Sequence, residues 1–511
     1  MTYYYCFNKT EEQDPAMKAL RMMGYDMFVP GNHEFNYGMK ILQSRLEYLA
    51  SEKTETEAPV AVGCANYLAA ETNNDETKDW ATWNGYAPYQ LYNYDGVTVA
   101  VMGIGNPNVP KWDVPANWEG IYFANPVETY KHYEKEMTEK ADFIVIASHS
   151  GIDSDAQSDF MRQLVTETNT IDLVFTGHEH RSGVTMIANS NEVEVPVLSL
   201  STKCAAVGRA VVTYDRVSGQ YELNAELVPM SYRDENRVWH ANYEVDADLE
   251  AALKPYEEAT WNDYMLKSIG KATGNFSAAN LGGAPSAFVE LVNQVQIWGA
   301  YDRTGLNTPD DETDDTPAQL SITAPLTSGS AENLIPQGDI MLGDMFRLYR
   351  YENWFYQITM TGKEVDTWLE YSASKVQLNE DGSVTIVGGL TYYDVITGEG
   401  FYYEIDPSKP EGDRVTMTYN GVAVKDDDTF TVVVNNYRYN GGGDYVKYLN
   451  DHGCEFKAND PDRIVYSTQY DMIQGEDKGQ ARNLLADYIT EQETINPADY
   501  TIANWKIVGA K

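Results

Sequence analysis

Three runs in the first half of the chain, Val97–Ile104, Asp142–Ala147 and Ile171–Phe175, are close to continuously apolar. Strands buried on both faces read this way, as in a parallel sheet covered by helices. Between the last two, Asp155–Thr166 has helical spacing, and residues 15–29 place Met17, Leu20 and Met23 at helical intervals before running into Asp26-Met-Phe-Val. The resulting βαβ rhythm predicts an α/β domain with a central sheet. A charged stretch over about 246–272, with Leu249, Leu253, Tyr256, Ala259, Tyr264 and Leu266 spaced helically, predicts a connecting helix. Asn307–Thr316 is acidic and rich in Pro and Thr, which predicts an exposed insertion. The expected domains are therefore 1–245, a connector at 246–272, and an α+β domain over 273–511.

Composition narrows the partners. The chain is 43% hydrophobic and 12% aromatic, as a folded protein should be, and its 511 residues exceed what one ordinary core holds. With 78 Asp and Glu against 37 Lys and Arg, its formal charge of −41 repels polyanions, so duplex nucleic acid and anionic membrane are poor partners. A small phosphate-bearing ligand would need local cations. The four cysteines are scattered without a CxxC pair, which supports neither a thiolate zinc site nor a dense disulfide framework. No stretch reaches the ~18 apolar residues of a membrane span. The first ten residues lack the basic and apolar regions of a signal peptide.

Of seven histidines, four lie in three short motifs: Gly31-Asn32-His33-Glu34, Ser148-His149-Ser150-Gly151 and Thr176-Gly177-His178-Glu179-His180. Each motif directly follows a predicted strand. In an open parallel sheet, strand C-termini share one edge, and ligands bind there. Flanking glycines let the chain turn sharply enough to aim these side chains at that edge. Imidazole is a good ligand for Zn, Mn, Fe or Co, and an Asn carbonyl supplies a hard-oxygen donor. His178-x-His180 on an extended turn would put both rings on one side. A lone histidine after a strand is usually a capping or core residue; the joint pattern points to metal binding.

These motifs resemble the calcineurin-like metallophosphoesterases, and within them the 5′-nucleotidase and 2′,3′-cyclic-nucleotide 2′-phosphodiesterase/3′-nucleotidase family. Gly31-Asn-His-Glu-Phe-Asn-Tyr-Gly38, with Asn36 where ordinary 5′-nucleotidases have Asp, looks more like the cyclic phosphodiesterase branch. Tyr349-Arg-Tyr-Glu-Asn353, Trp368-Leu-Glu-Tyr-Ser-Ala373, Val434-Asn-Asn-Tyr-Arg-Tyr-Asn-Gly-Gly442 and Asn504-Trp-Lys-Ile look like that branch's substrate domain. The resemblance implies a layered αββα catalytic domain, two divalent metal ions and hydrolysis of nucleotide phosphoesters. Carried over by position, Asn32, His149 and His178 would bind one metal and His180 would contribute to the other. His33 would sit beside the substrate phosphate and stabilise charge on the departing oxygen. Tyr351 and Tyr437 would hold the base between their rings, with Asn353 reading its edge. Base–aromatic stacking is worth ~1–3 kcal/mol per base.

The family opens its catalytic domain with an Asp-x-His motif and then a Gly-Asp motif. Neither precedes Asn32, and Asp14 and Asp26 are the only upstream aspartates. The expectation is a domain missing its first strands, with one metal site incomplete for want of the carboxylate that bridges two cations. No arginine lies between Ala324 and Gly338, where the family often has one. The resemblance also implies a periplasmic, cell-wall or extracellular protein acting in nucleotide scavenging. The alternatives are a 5′-nucleotidase or UDP-sugar hydrolase, and an inactive nucleotide-binding remnant.

Overall fold

The apolar runs pair side by side. Val97–Ile104, Phe143–Ser148, Leu173–Thr176 and Glu194–Ser199 lie parallel in that order, and the antiparallel strands Tyr89–Tyr94 and Gly183–Ala188 close the two edges of this six-stranded sheet. The computed structural model describes residues 1–9, 12–152, 160–235, 238–277, 281–303, 316–325, 333–349, 351–469 and 479–510. Most of the acidic insertion expected at Asn307–Thr316, and the start of the helix expected at Asp155–Thr166, lie outside those residues. The described part of that helix is Met161–Thr166. Two compact units divide the chain, Met1–Glu257 and Glu258–Lys511.

In the first unit, one sheet face is covered by the helices Pro126–Lys140 and Met161–Thr166, whose Val127, Tyr130, Met137, Met161 and Leu164 pack on Met102, Ile144, Ile146 and Val174. The longer helix is capped by Asn125, whose side chain accepts from the backbone N–H groups of Val127 (2.8 Å) and Glu128 (3.2 Å). The other face is covered by a long hairpin, Ala206–Asp215 with Gln220–Pro229, through Ala210, Leu223, Ala225 and Leu227. Each fully buried aliphatic side chain stabilises such layers by about 1.5–3 kcal/mol.

Met27–Phe28 forms a short parallel pair with Ala61–Val62. That pair abuts the main sheet where Gly63 meets Gly103 backbone to backbone; a Cβ on Gly103 would collide with Gly63, and Ala65 N–H bonds to Gly103 O at 2.9 Å. The close approach brings the segment after Phe28 beside the sheet's C-terminal edge. The short helix Thr2–Phe7 buries Tyr3, Tyr4 and Tyr5, and its Tyr3 and Phe7 meet Tyr37 edge-on.

Within 246–272 the helix is shorter than its spacing suggests. It spans Ala247–Ala259, passes through a wider π-type turn at Thr260–Met265, and gives way to the strand Ser268–Ala272. Apolar intervals alone do not mark that change, because the turn keeps a near-helical period.

The second unit has a mixed five-stranded sheet in the order Val395–Thr397, Leu320–Thr323, Thr429–Asn435, Phe355–Thr361, Ile464–Ser467, and a four-stranded sheet around Phe401–Ile405. Its helix Gly362–Ala373 starts with a reciprocal cap. Thr361 Oγ1 accepts from Glu364 N–H (3.2 Å), and Glu364 Oε2 accepts from Thr361 N–H (2.8 Å). That helix buries Val365, Trp368 and Leu369. All four cysteines are free.

Candidate functional site

Strand ends deliver the first three side chains. Phe143–Ser148 hands over directly to His149, Leu173–Thr176 ends one residue before Gly177-His178, and the short strand Met27–Phe28 leads into a tight helical turn at Asn32–Tyr37. Asn32 Oδ1 lies 3.1 Å from His149 Nε2 and 3.2 Å from His178 Nδ1. The His149 and His178 rings stand 5.5 Å apart edge-to-face, and the Trp112 ring lies 5.0 Å from His178, tilted by 30°.

Gly31 makes room for this convergence. A Cβ there would stand 2.9 Å from His149 Cε1 and Nε2 and 2.9 Å from Glu34 Oε2. The Glu34 carboxylate instead accepts the Gly31 N–H at 2.7 Å and so fixes the turn. Burial, then the positive fields of His178, His33 and His180, depress the His149 imidazole to about 3. It therefore stands neutral, with a lone pair to offer.

The loop after Thr176 is not extended. His178 and His180 both adopt left-handed backbone, with φ of 75° and 56°, and Glu179 N–H bonds back to Gly177 O at 3.0 Å. Such conformations cost side-chain-bearing residues about 1–3 kcal/mol and cluster at functional sites. The tight bend brings His178 within 3.2 Å of Asn32 and leaves His180 exposed, so the extended turn expected there is not formed.

His33 is exposed at the start of the same helical turn. Its Nδ1 lies 2.7 Å from Asn36 Oδ1, and Asn36 Nδ2 donates to Asp113 Oδ2 at 2.9 Å. Asp113 is 2% exposed, and its other oxygen accepts from Val114 N–H (2.8 Å) and Asn117 Nδ2 (2.7 Å). Burial raises the Asp113 carboxyl to about 6 despite these donors. Trp112 and Asp113 close the one-turn helix Val109–Trp112 that follows the strand Val97–Ile104, a segment with no recognisable motif. Only the folded chain joins them to the histidines.

Of the two upstream aspartates, Asp14 serves the fold and Asp26 is exposed. Asp14 caps the helix Pro15–Met22, accepting from Ala16 N–H at 2.9 Å, and pairs with Arg45 at 2.7 Å. Among the described residues no group of three or more His, Cys, Asp or Glu converges as a metal site. The converging set Asn32, His149, His178 offers three potential donors, two imidazoles and an amide oxygen. It fits one divalent ion, since catalytic sites commonly use three protein donors and leave a position open. For a second ion, the expected His180 is exposed, and its charge reaches His149.

In the second unit, Tyr437 and Tyr351 are neighbours. Burial pushes the Tyr437 hydroxyl up to about 12, with Tyr392 and Tyr351 among the groups whose charge it senses. Tyr351 is 42% exposed. Tyr437 lies flat on Gly442, where any Cβ would collide with its ring. Next to it, Arg438 is locked by the buried Asp394 through bonds of 2.9–3.0 Å, and Trp368 Nε1 donates to the same carboxylate at 3.0 Å. Asn353 is buried, and its Nδ2 is committed to Asn436 Oδ1 at 2.8 Å. The aromatic Tyr392, 44% exposed beside this pair, carries no marker that sets it apart among 38 tyrosines.

Residues 7–182 match the model of the calcineurin-like phosphoesterases, and residues 268–451 match the 5′-nucleotidase C-terminal domain. The chain is similar to a 2′,3′-cyclic-nucleotide 2′-phosphodiesterase/3′-nucleotidase of Haemophilus influenzae, 26% identical over 98% of this chain and 77% of that protein. It is also similar to the trifunctional nucleotide phosphoesterase YfkN of Bacillus subtilis, 25% identical over 96% of this chain but spanning only 33% of that longer protein. A solved Staphylococcus aureus structure described as a 5′-nucleotidase superposes with a TM-score of 0.73 at 22% identity, covering 99% of this chain and 87% of that one. At that identity the likeness speaks for the fold.

Proposed function

Since the chain belongs to the family that joins a calcineurin-like phosphoesterase domain to a 5′-nucleotidase C-terminal domain, we propose that it hydrolyses nucleotide phosphoesters with divalent metal. The substrates are 2′,3′-cyclic diesters and 3′-monoesters. The observation that carries this reading is the convergence of Asn32 Oδ1 with His149 and His178 at 3.1–3.2 Å. The similarity to the Haemophilus phosphodiesterase/nucleotidase and the Asn at position 36 support the cyclic-ester branch.

In this reading Asn32, His149 and His178 hold one ion, and His180 faces a second; Zn, Mn, Fe or Co suits such donors. The chemistry supplied when metal is bound is polarisation of phosphoryl oxygen and activation of water. The chain's own residues do the rest. His33 stands beside the ester and offsets charge on the departing ribose oxygen, the main electrostatic demand of the reaction. Tyr351 and Tyr437 stack the base, and the rigid Arg438–Asp394 pair beneath Tyr437 holds that ring in place. Asn353, committed to Asn436, orders the loop under the base as well as lining it. An exported location belongs to the same proposal. Among the described residues, no helix is long and apolar enough to cross a membrane.

The test is hydrolysis of 2′,3′-cyclic AMP, 3′-AMP and 5′-AMP by the purified chain with and without added Mn or Zn. Turnover of the cyclic and 3′ esters is expected; turnover of 5′-AMP alone sinks the branch assignment and favours the 5′-nucleotidase reading. The absence of a convergent carboxylate–histidine group among the described residues favours a second reading, a nucleotide-binding remnant. Nucleotide binding without metal uptake or hydrolysis would establish it.

A further inference from the structure

Asp113 stands 77 residues from Asn36 in sequence and within hydrogen-bond distance of it in space. Its consequence for His33 follows from donor and acceptor inventory. An ionised carboxylate can only accept. Asn36 must therefore present its Nδ2 to Asp113, at 2.9 Å, and the amide cannot flip without setting oxygen against oxygen. Its Oδ1 is then fixed toward His33 Nδ1, at 2.7 Å, and an acceptor there requires a hydrogen on Nδ1.

The anchoring end is rigid. Asp113 is 2% exposed and its second oxygen is held by Val114 N–H and Asn117 Nδ2 at 2.8 and 2.7 Å. The ring end is exposed and is held by Asn36 at 2.7 Å. A buried carboxylate thus reaches an exposed imidazole through one amide, and its charge decides which ring nitrogen carries the hydrogen.

We propose that Asp113 is a positioning residue for His33, acting through the Asn36 amide to hold the hydrogen on Nδ1 and leave Nε2 to face the departing oxygen. This rests on the role given to His33 above. With Nδ1–H held by Asn36, the Nε2 edge of the ring is the one left to face the leaving ribose oxygen.

The proposal predicts reciprocal rescue. Asp113→Asn sets two amides face to face and frees Asn36 to flip; Asn36→Asp sets two carboxylates face to face. Each lowers kcat for 2′,3′-cyclic AMP in the metal-loaded full chain by about 10²-fold or more, within the range that positioned acid–base groups contribute, with KM little changed. The double substitution N36D/D113N restores one amide facing one carboxylate and recovers most of the loss. A second readout needs no turnover: in metal-free chain labelled with [15N]histidine at a fixed alkaline pH, the His33 Nδ1 resonance is of the N–H type in the parent and moves toward the imine type in Asp113→Asn. If that variant melts early, Asn36→Leu serves instead, because it leaves Asp113 its Val114 and Asn117 partners. Unchanged kcat and unchanged His33 resonances in a folded variant overturn the proposal, as does a double variant no better than the singles. A parent that hydrolyses none of the esters defeats the functional reading, while the resonances still decide the tautomer.

Discussion

The side-chain oxygen of Asn32 lies 3.1 Å from Nε2 of His149, although 117 residues separate them. A neutral amide and a neutral imidazole make a weak hydrogen bond here but a good pair of donors for a cation. Replacing His149 by Ala is expected to weaken divalent-metal binding at least as much as loss of an outer-shell partner does, about 10–100-fold. Calorimetric titration with Mn or Zn checks it; unchanged affinity would remove His149 from the metal site.

Gly31→Ala tests the same site without touching a donor. Its Cβ would press on His149 and Glu34 at 2.9 Å, so the ring must shift. Metal affinity and hydrolysis are expected to fall while the melting temperature moves little, since the clash lies at the sheet edge. Circular dichroism beside an activity assay separates the two effects.

For the second unit, Gly442→Ala and Tyr437→Ala should act alike. The first displaces the Tyr437 ring and the second deletes it. Loss of one stacking partner costs about 1–3 kcal/mol, read as a rise in KM with kcat nearly constant. A fall in kcat at constant KM would place Tyr437 outside base binding.

Glu290, 6% exposed in the helix Ala287–Gly299, supplies a pH test of stability. Burial raises its carboxyl from 4.5 to about 7. The folded state therefore holds a proton that the unfolded chain releases as pH rises from about 4 to about 7. Stability is lost across that window, on the order of 3 kcal/mol once complete. Glu290→Gln should raise the melting temperature at pH 8 and leave it unchanged near pH 4, as thermal scans at both pH values would show.

Arg21, 1% exposed, donates to the carbonyls of Tyr48, Leu49, Ser51 and Glu52 and to the Glu57 carboxylate, all at 2.8–2.9 Å. Arg21→Ala leaves Glu57 its Lys18 and Tyr48 partners, at 2.9 and 2.7 Å, but strips the four carbonyls of their shared donor and is expected to destabilise the first unit by about 1–3 kcal/mol. Denaturant melts check the figure.

Hydrophobic continuity was enough to mark the runs Val97–Ile104, Asp142–Ala147 and Ile171–Phe175 as buried parallel strands, because a strand covered on both faces has no polar side to show. Histidine motifs directly after those strands then pointed to one sheet edge. The same local reading failed where geometry is set by contacts distant in sequence. The left-handed bend at His178 and His180, the shortening of the helix after Ala259 and the relay from Asp113 to His33 carry no periodic signal. What the sequence determined by itself was the kind of elements and the family-specific residues at their ends, which depend on local pattern. What tertiary structure decided was which of those residues meet. Gly63 and Gly103 had to pack backbone to backbone before Asn32 could lie beside His149, and a buried Asp113 had to form before His33 could be oriented.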